Sequence, residues 1–278
     1  RLIRKYRGTD PEFAQEMDRY LRTNAPRSQS PMRKALPSPA STGSPMPADD
    51  ESRLSLLKVF DEKRDQAEPL LSDELKDTLN QLVQERRQTE RLAALGLKPT
   101  RSAIFVGPPG VGKTLTAHWL ATQLQLPLYV LDLTAVMSSL LGRSGNNLRA
   151  ALDFAKNRPC VLLLDEIDSI AKRRSDETDV GELKRLVTVI LQEVDVWPAS
   201  GLLLAATNHP ELIDPALWRR FDLTVEFKAP SSEAIRLAIQ RFLGADRKQF
   251  QKWIEVLAFA FRGQSFSDIE REIQRFRR

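Results

Sequence analysis

Gly107-Pro108-Pro109-Gly110-Val111-Gly112-Lys113-Thr114 fits the spacing G-x-x-x-x-G-K-[ST], and that spacing has a chemical reason. Glycines let successive backbone N–H groups turn inward around a phosphate without side-chain clash. Lys113 supplies a point charge for β- and γ-phosphates, and Thr114 offers a hydroxyl to Mg²⁺. Such a loop needs a strand before it and a helix after it. Residues 102–106 read as the strand and 115–125 as the helix. In that setting a plain Gly/Pro turn is the poorer reading.

Outward from the loop, strands and helices alternate. Strands are expected at 102–106, 128–133, 160–164, 202–207 and 223–227, with helices at 113–125, 146–157 and 181–195. The strand runs are apolar on both faces, as a parallel sheet covered by helices requires. After Pro230 the pattern turns purely helical, and Ser267-Asp268-Ile269-Glu270 reads as the capping box of the last helix. Upstream, one helix is expected from Glu51 to about Gln66. A second runs from Ser72 to Leu95, with Leu75, Leu79, Leu82 and Val83 on one face and Gly96 as its stop. Residues 24–50 are rich in Pro, Ser and Ala without apolar period, the composition of a flexible linker. Before it, Asp10 can cap a short amphipathic helix carrying Phe13, Met17, Tyr20 and Leu21. The expected division is therefore 1–23, 24–50, an α/β body at 51–229 and a small helical lid at 230–278.

Composition narrows the function classes. A 41% hydrophobic and 28% charged chain of 278 residues is ordinary for a globular protein. The longest apolar run, Val256 to Phe261, is far too short to span a bilayer. No signal-peptide pattern is found, and no membrane association is expected. The single Cys160 sits in an apolar run, which excludes a disulfide framework and points to a reducing, cytoplasmic setting. Residues 1–35 hold nine Lys/Arg against four Asp/Glu, and the remaining 243 hold 33 of each. A basic arm of this kind can meet nucleic acid or an acidic partner. The body has no such bias, so nucleic acid is not the favoured substrate.

Three more motifs bear on chemistry. Val161-Leu162-Leu163-Leu164-Asp165-Glu166 is an apolar strand delivering two carboxylates at its C-terminal end, where ligands of open α/β sheets sit. Asp165 would hold Mg²⁺, and Glu166 would orient and polarise an attacking water. Ala206-Thr207-Asn208 ends another apolar strand, and Asn208 can hydrogen-bond that water or the γ-phosphate; its bland alternative is a strand-to-turn cap. Arg219 and Arg220, before Phe221-Asp222, are either surface charges or fingers that neutralise transition-state charge.

Together GPPGVGKT, VLLLDEID, AATNHPELIDPAL and RRFD resemble the AAA+ ATPases, in the branch with the second region of homology, over about residues 70–278. The resemblance implies an α/β P-loop NTPase fold with a C-terminal helical lid, and nucleotide held between subunits of a homo-oligomeric ring, usually a hexamer. It implies ATP as substrate with Mg²⁺. It assigns nucleotide contacts to Gly107, Pro108, Pro109, Gly110, Val111, Gly112, Lys113, Thr114, Leu115 and Asp165, with Ser267 at the lid. Thr114 and Asp165 serve the metal, Glu166 the water, and Asn208 is the sensor. Arg220 best matches the trans-acting arginine, with Arg219 beside it; family members commonly separate the two by two residues. Gly263-Gln264-Ser265-Phe266-Ser267-Asp268-Ile269 is similar to the family's G-x-S-G-A-D-[IL], with Phe266 and Ser267 replacing Gly-Ala.

Met137 to Gly142 resembles the pore loop of protein-threading members, in which Leu140, Leu141 and Gly142 would grip a polypeptide; packing at a helix–loop junction is the alternative. Lys172-Arg173-Arg174 reads as a second pore-facing loop or a solvated charge run. Neither His118 nor His209 lies in an H-E-x-x-H, and no nucleophile elbow is present. The sequence thus resembles protease-linked motors in its ATPase part, and stand-alone bacterial members that work beside a separate subtilisin-like protease. The leading expectation is ATP-driven remodelling or unfolding of protein substrates. A slow nucleotide-switched scaffold and a nucleic-acid motor or loader are the competing readings.

Overall fold

The computed structural model describes residues 57–60, 68–133, 136, 144–172 and 180–277. The expected segments 1–23 and 24–50, the Leu140–Gly142 grip and the Arg173-Arg174 pair lie outside the described residues, so the readings placed on them stand as expectations. No described helix is long and apolar enough to cross a membrane.

Six strands form one sheet among the described residues: β1 (Leu57–Phe60), β2 (Ser102–Val106), β3 (Leu128–Asp132), β4 (Val161–Asp165), β5 (Leu202–Thr207) and β6 (Leu223–Glu226). Their order across the sheet is β1-β3-β4-β5-β2-β6. Every pairing is parallel except that of β1 with β3. Side chains alternate across the strands. Ile104, Leu162, Leu164 and Leu203 enter one apolar cluster; Ala103, Phe105, Leu163 and Leu204 enter the other. The first face is covered by α4 (Ser144–Lys156) and α6 (Val180–Asp195), through Leu148, Leu152, Leu186 and Ile190. The second is covered by α1 (Asp73–Arg87) and α3 (Lys113–Leu124), through Leu79, Leu82, Ala117 and Leu120. Each fully buried Leu or Ile contributes roughly 1.5–3 kcal/mol relative to exposure.

The strand β1 corrects one expectation. A helix was expected across 51–66, yet Leu57–Phe60 pairs with Leu128–Leu131 as an antiparallel edge. Local pattern lost to tertiary pairing here. Leu57 is buried, Lys58 reaches Asp132 at 3.6 Å, and the Phe60 ring meets His118 edge-on at 4.5 Å. His118 is thereby accounted for as a packing residue. The expected helix 72–95 is likewise divided. Ser72 caps α1 by accepting the Leu75 N–H at 3.4 Å, but the chain breaks at Gln88 before α2 (Thr89–Ala94). The Thr89 hydroxyl donates to the Arg86 carbonyl at 2.7 Å and favours the break. Gly96, in the left-handed region at φ 74°, ends α2 as expected.

Between β4 and β6 lie the short helices α5 (Ser169–Lys172) and α7 (Pro215–Trp218). Beyond β6 the chain is helical: α8 (Ser232–Leu243), α9 (Arg247–Phe250), α10 (Ile254–Ala260) and α11 (Phe266–Arg277). These share a separate core built on Ile235, Ile239, Leu243, Ile254, Ile269 and Ile273. The start of α11 differs from its expected capping box. The capping hydroxyl belongs to Ser265, which accepts the Asp268 N–H at 3.2 Å and donates to the Asp268 carboxylate at 2.7 Å. Ser267 is left inside the first turn. The Ser265 hydroxyl, with Arg271 near by, holds the Asp268 carboxyl below its usual pKa. Cys160 is buried as expected, donates to the Ala155 carbonyl at 3.2 Å, and has its thiol pushed up to about 12 by desolvation.

Candidate nucleotide-binding site

Parallel strands bring their C-terminal ends to one side, and that side carries the site. Val106 of β2 lies opposite Thr207 of β5, and Leu164 of β4 opposite Ala205. Gly107, Asp165 and Asn208 therefore emerge side by side. A cleft of about 580 Å³ opens there, lined by Pro109 to Leu115, Asp165, Glu166, Asn208 and Ser267 from the expected set. That volume suits a nucleotide-sized ligand. Gly107 and Pro108 do not line it; their carbonyls accept the Lys113 ammonium at 2.6 and 2.8 Å.

Two of the loop's glycines are required by contact. A Cβ on Gly107 would lie 2.2 Å from the Phe227 carbonyl oxygen. Gly110 has φ 75°, and a Cβ there would meet the Ser265 hydroxyl at 2.5 Å. The lid thus presses on the loop, and the Ser267 N–H donates to the Gly110 carbonyl at 3.3 Å. Beyond the loop, α3 points its N-terminus into the cleft, where unpaired N–H groups and the helix dipole favour an anion.

Lys113 is the buried cation of the site. Besides the two loop carbonyls it donates to the Asn208 side-chain oxygen at 2.7 Å. Desolvation lowers its pKa from the usual value, while Asp165 and Asp168 pull the other way. The Thr114 hydroxyl donates to the Asp165 carboxylate at 3.1 Å. Two hard oxygens at the mouth of a phosphate loop are the donor type Mg²⁺ accepts when phosphates and waters complete its shell. No cluster of three His, Cys, Asp or Glu exists among the described residues, so the arrangement is not an all-protein metal cage.

Glu166 has φ 53°, a left-handed conformation costing a non-glycine residue about 1–3 kcal/mol. Flanking bonds hold it: the Ile167 N–H donates to the Ala206 carbonyl at 3.0 Å and the Ser169 N–H to the Glu166 carbonyl at 2.8 Å. A carboxylate maintained in a strained position beside the phosphate loop is suited to orienting a water.

Sequence reasoning gave no role to Asp168, which is buried and accepts the Thr207 hydroxyl at 3.1 Å and the Asn208 N–H at 3.2 Å. It ties the end of β4 to the end of β5 and aims Asn208 at Lys113. The available signal was an acid between Ile167 and Ile170, since a buried charge needs partners. Also missed were the lid residues Arg241, Phe242 and Glu270, which close the cleft with Pro69, Leu70 and the Phe266 of the lid motif. Arg241 donates to the Glu68 carbonyl, joining α8 to the segment before α1.

Arg219 and Arg220 are not brought to this cleft. They precede β6, whose Leu223 lies opposite Ala103 at the start of β2. The phosphate loop follows the other end of β2, roughly 13 Å away along the strand at 3.3 Å per residue. Asp222 fixes this end by accepting the Arg101 and Ser102 N–H groups at 2.8 and 3.1 Å. Arg220 forms an ion pair with Asp195.

A mostly parallel sheet between helix layers, with a phosphate loop, paired carboxylates and a polar strand-end residue in one cleft, defines a P-loop nucleoside-triphosphate hydrolase. Residues 103–229 match the family described as ATPase family associated with various cellular activities (AAA). The chain carries an AAA ATPase domain. It is 38% identical over 192 residues to an uncharacterized AAA family ATPase, y4kL, of Sinorhizobium fredii, covering 68% of this chain and 57% of that one. It is 35% identical over 179 residues to the peroxisomal ATPase pex6 of Schizosaccharomyces pombe, covering 62% of this chain and 19% of that one. It is 35% identical over 174 residues to the ATP-dependent zinc metalloprotease FtsH 1 of Thermomicrobium roseum, covering 60% and 26%. The chain thus spans little more than half of the first relative and about a fifth to a quarter of the others. The fold is shared with the FIGL-1 AAA domain crystal structure, at TM-score 0.63 and 22% identity, covering 77% of this chain and 72% of that one.

Proposed function

We propose that this chain hydrolyses ATP with Mg²⁺ as one subunit of a homo-oligomeric ring, a hexamer by family resemblance, and uses the energy to remodel or unfold protein substrates in the cytoplasm. The observation carrying this reading is the convergence of Lys113, Thr114, Asp165, Glu166 and Asn208 on one cleft.

The residues divide the work. Backbone N–H groups of Gly110 to Thr114 and the α3 N-terminus receive the phosphates. Lys113 exchanges its bonds to the Gly107 and Pro108 carbonyls for phosphate oxygens, a charge-assisted and stronger pairing. Asn208, released by Lys113, turns its amide toward the γ-phosphate and the attacking water. Glu166 orients that water and draws its proton. Mg²⁺ held by Thr114 and Asp165 would neutralise charge developing on the β- and γ-phosphates. The arginine pair lies at the far ends of the strands from its own cleft, which supports the reading that it acts on a neighbour's nucleotide. Protein substrates are supported by the resemblance of Met137 to Gly142 to a pore loop, and by relatives named for peroxisomal and proteolytic ATPases. A separate protease is one partner compatible with that reading.

Steady-state ATP turnover with and without an unfolded polypeptide, paired with sedimentation of Glu166→Gln with and without ATP, tests the proposal. Expected are stimulation by polypeptide, and a variant that binds ATP and assembles yet hardly hydrolyses. Very slow turnover with ATP-locked assembly would transfer support to the scaffold reading. Salt-sensitive binding to DNA or RNA, lost on deleting residues 1–35, would transfer it to the nucleic-acid reading.

A further inference from the structure

We propose that Asp195 sorts the two adjacent arginines: it holds Arg220 within its own subunit and leaves Arg219 as the one that reaches a neighbour's triphosphate. This rests on the reading of the pair as trans-acting, and it reverses the preference that motif matching gives to Arg220.

The backbone around the pair is fixed on both sides. Asp214 caps α7 by accepting the Ala216 N–H at 2.8 Å, and Leu217 and Phe221 are buried in the sheet core. Asp222 is bolted to the start of β2 through Arg101, Ser102 and the Ser102 hydroxyl, which accepts the Asp222 N–H at 3.1 Å. Between these anchors the turn stays helical: Arg219 has φ −77° and ψ −11°, and the Arg220 N–H donates to the Leu217 carbonyl at 3.0 Å. Neighbouring side chains on such a turn diverge by about 100°. The two side chains therefore leave the backbone in different directions, and the Arg220 guanidinium ends on Asp195.

Their surroundings differ in charge. Arg220 pairs with the carboxylate of Asp195, the last residue of α6. That residue is itself anchored, since the Arg101 guanidinium donates to the Asp195 and Trp197 carbonyls at 3.5 and 3.3 Å and Trp197 is buried. Arg219 is exposed and has no hydrogen-bond or ion-pair partner among the described residues. To serve a neighbour's γ-phosphate, Arg220 would have to abandon Asp195 and leave a bare carboxylate facing a polyanion. Arg219 delivers a full positive charge with nothing given up, and its planar fork fits phosphate oxygens. Arg220 is thus a positioning residue, holding the turn so that Arg219 projects outward.

The test is subunit complementation in the full chain, with nucleotide affinity measured alongside. Arg219→Ala is expected to lower turnover on the order of 10³-fold with ATP affinity unchanged, and to regain activity when mixed with Glu166→Gln. Arg219→Lys should not rescue it, because an ammonium lacks the fork. Arg220→Ala and Asp195→Asn are expected to lose only a few-fold each, with no further loss when combined, and Arg220→Lys should recover the loss by keeping the ion pair. If Arg220→Ala is the severe variant and Arg219→Ala is mild, the sorting is wrong and the trans-acting reading survives. Equal losses, neither relieved by lysine, also overturn the sorting. Near-normal turnover in both alanine variants overturns the trans-acting reading itself.

Discussion

At the C-terminal ends of β2, β4 and β5, Gly107, Asp165 and Asn208 stand side by side around a cleft, and a single chain supplies a loop, a cation, two carboxylates and an amide. At the N-terminal ends of β2 and β6, Arg101, Asp195, Arg219, Arg220 and Asp222 form a surface rich in cations and held by structural carboxylates. Near by, Arg86 donates to the Thr100 and Ala199 carbonyls at 2.8 and 3.0 Å, its pKa lowered to about 10 by burial. The first end is a concave receptor for an anion; the second is a rigid mount presenting positive charge outward. In the proposed ring the charged end of one protomer would meet the contents of another's cleft, which is why the assembly, rather than the chain, is the proposed catalytic unit.

Three substitutions sharpen that contrast, in descending order of effect. Lys113→Ala attacks the receptor end directly. Loss of charged hydrogen bonds worth roughly 1.5–3 kcal/mol each predicts nucleotide affinity falling by about 100-fold or more, read by titration with a fluorescent nucleotide. Unchanged affinity would mean the cleft is not the nucleotide site. Asp168→Ala acts one step back from the chemistry. It leaves the Thr207 hydroxyl and the Asn208 N–H without their acceptor, so stability should drop by about 1–3 kcal/mol in denaturant titration. Turnover should also fall through a misaimed Asn208, with nucleotide affinity nearly kept; a fall in affinity alone would contradict the positioning role. Asp222→Ala loosens the mount at the other end. Turnover per assembled subunit should fall while nucleotide affinity stays at its wild-type value, with a stability loss at the low end of about 1–3 kcal/mol because Arg101 is partly exposed. Weakened nucleotide binding in this variant would show that the two ends are not independent.

The elements show where reading the sequence succeeds. The central strands were legible because their apolar runs are continuous and buried on both faces, and the Lys113 loop because the spacing of its glycines and lysine suits a phosphate. Leu57–Phe60 was not legible: four residues carry no period, and only the open edge of β3 makes them a strand. The break at Gln88 depends on a threonine hydroxyl, and the Ser265 cap on which serine the turn before α11 presents. Neither choice is encoded by spacing.

The sequence by itself determined the five parallel strands and the phosphate loop, and it singled out Lys113, Thr114, Asp165, Glu166 and Asn208 as site candidates, because local chemistry and hydrophobic period point to them. Only the tertiary structure decided that Asp168 aims Asn208, that Arg241 and Phe266 of the lid close the cleft, and that Asp195 claims Arg220. Those are pairings between groups distant along the chain, and their energies exist only once the strands have been laid side by side.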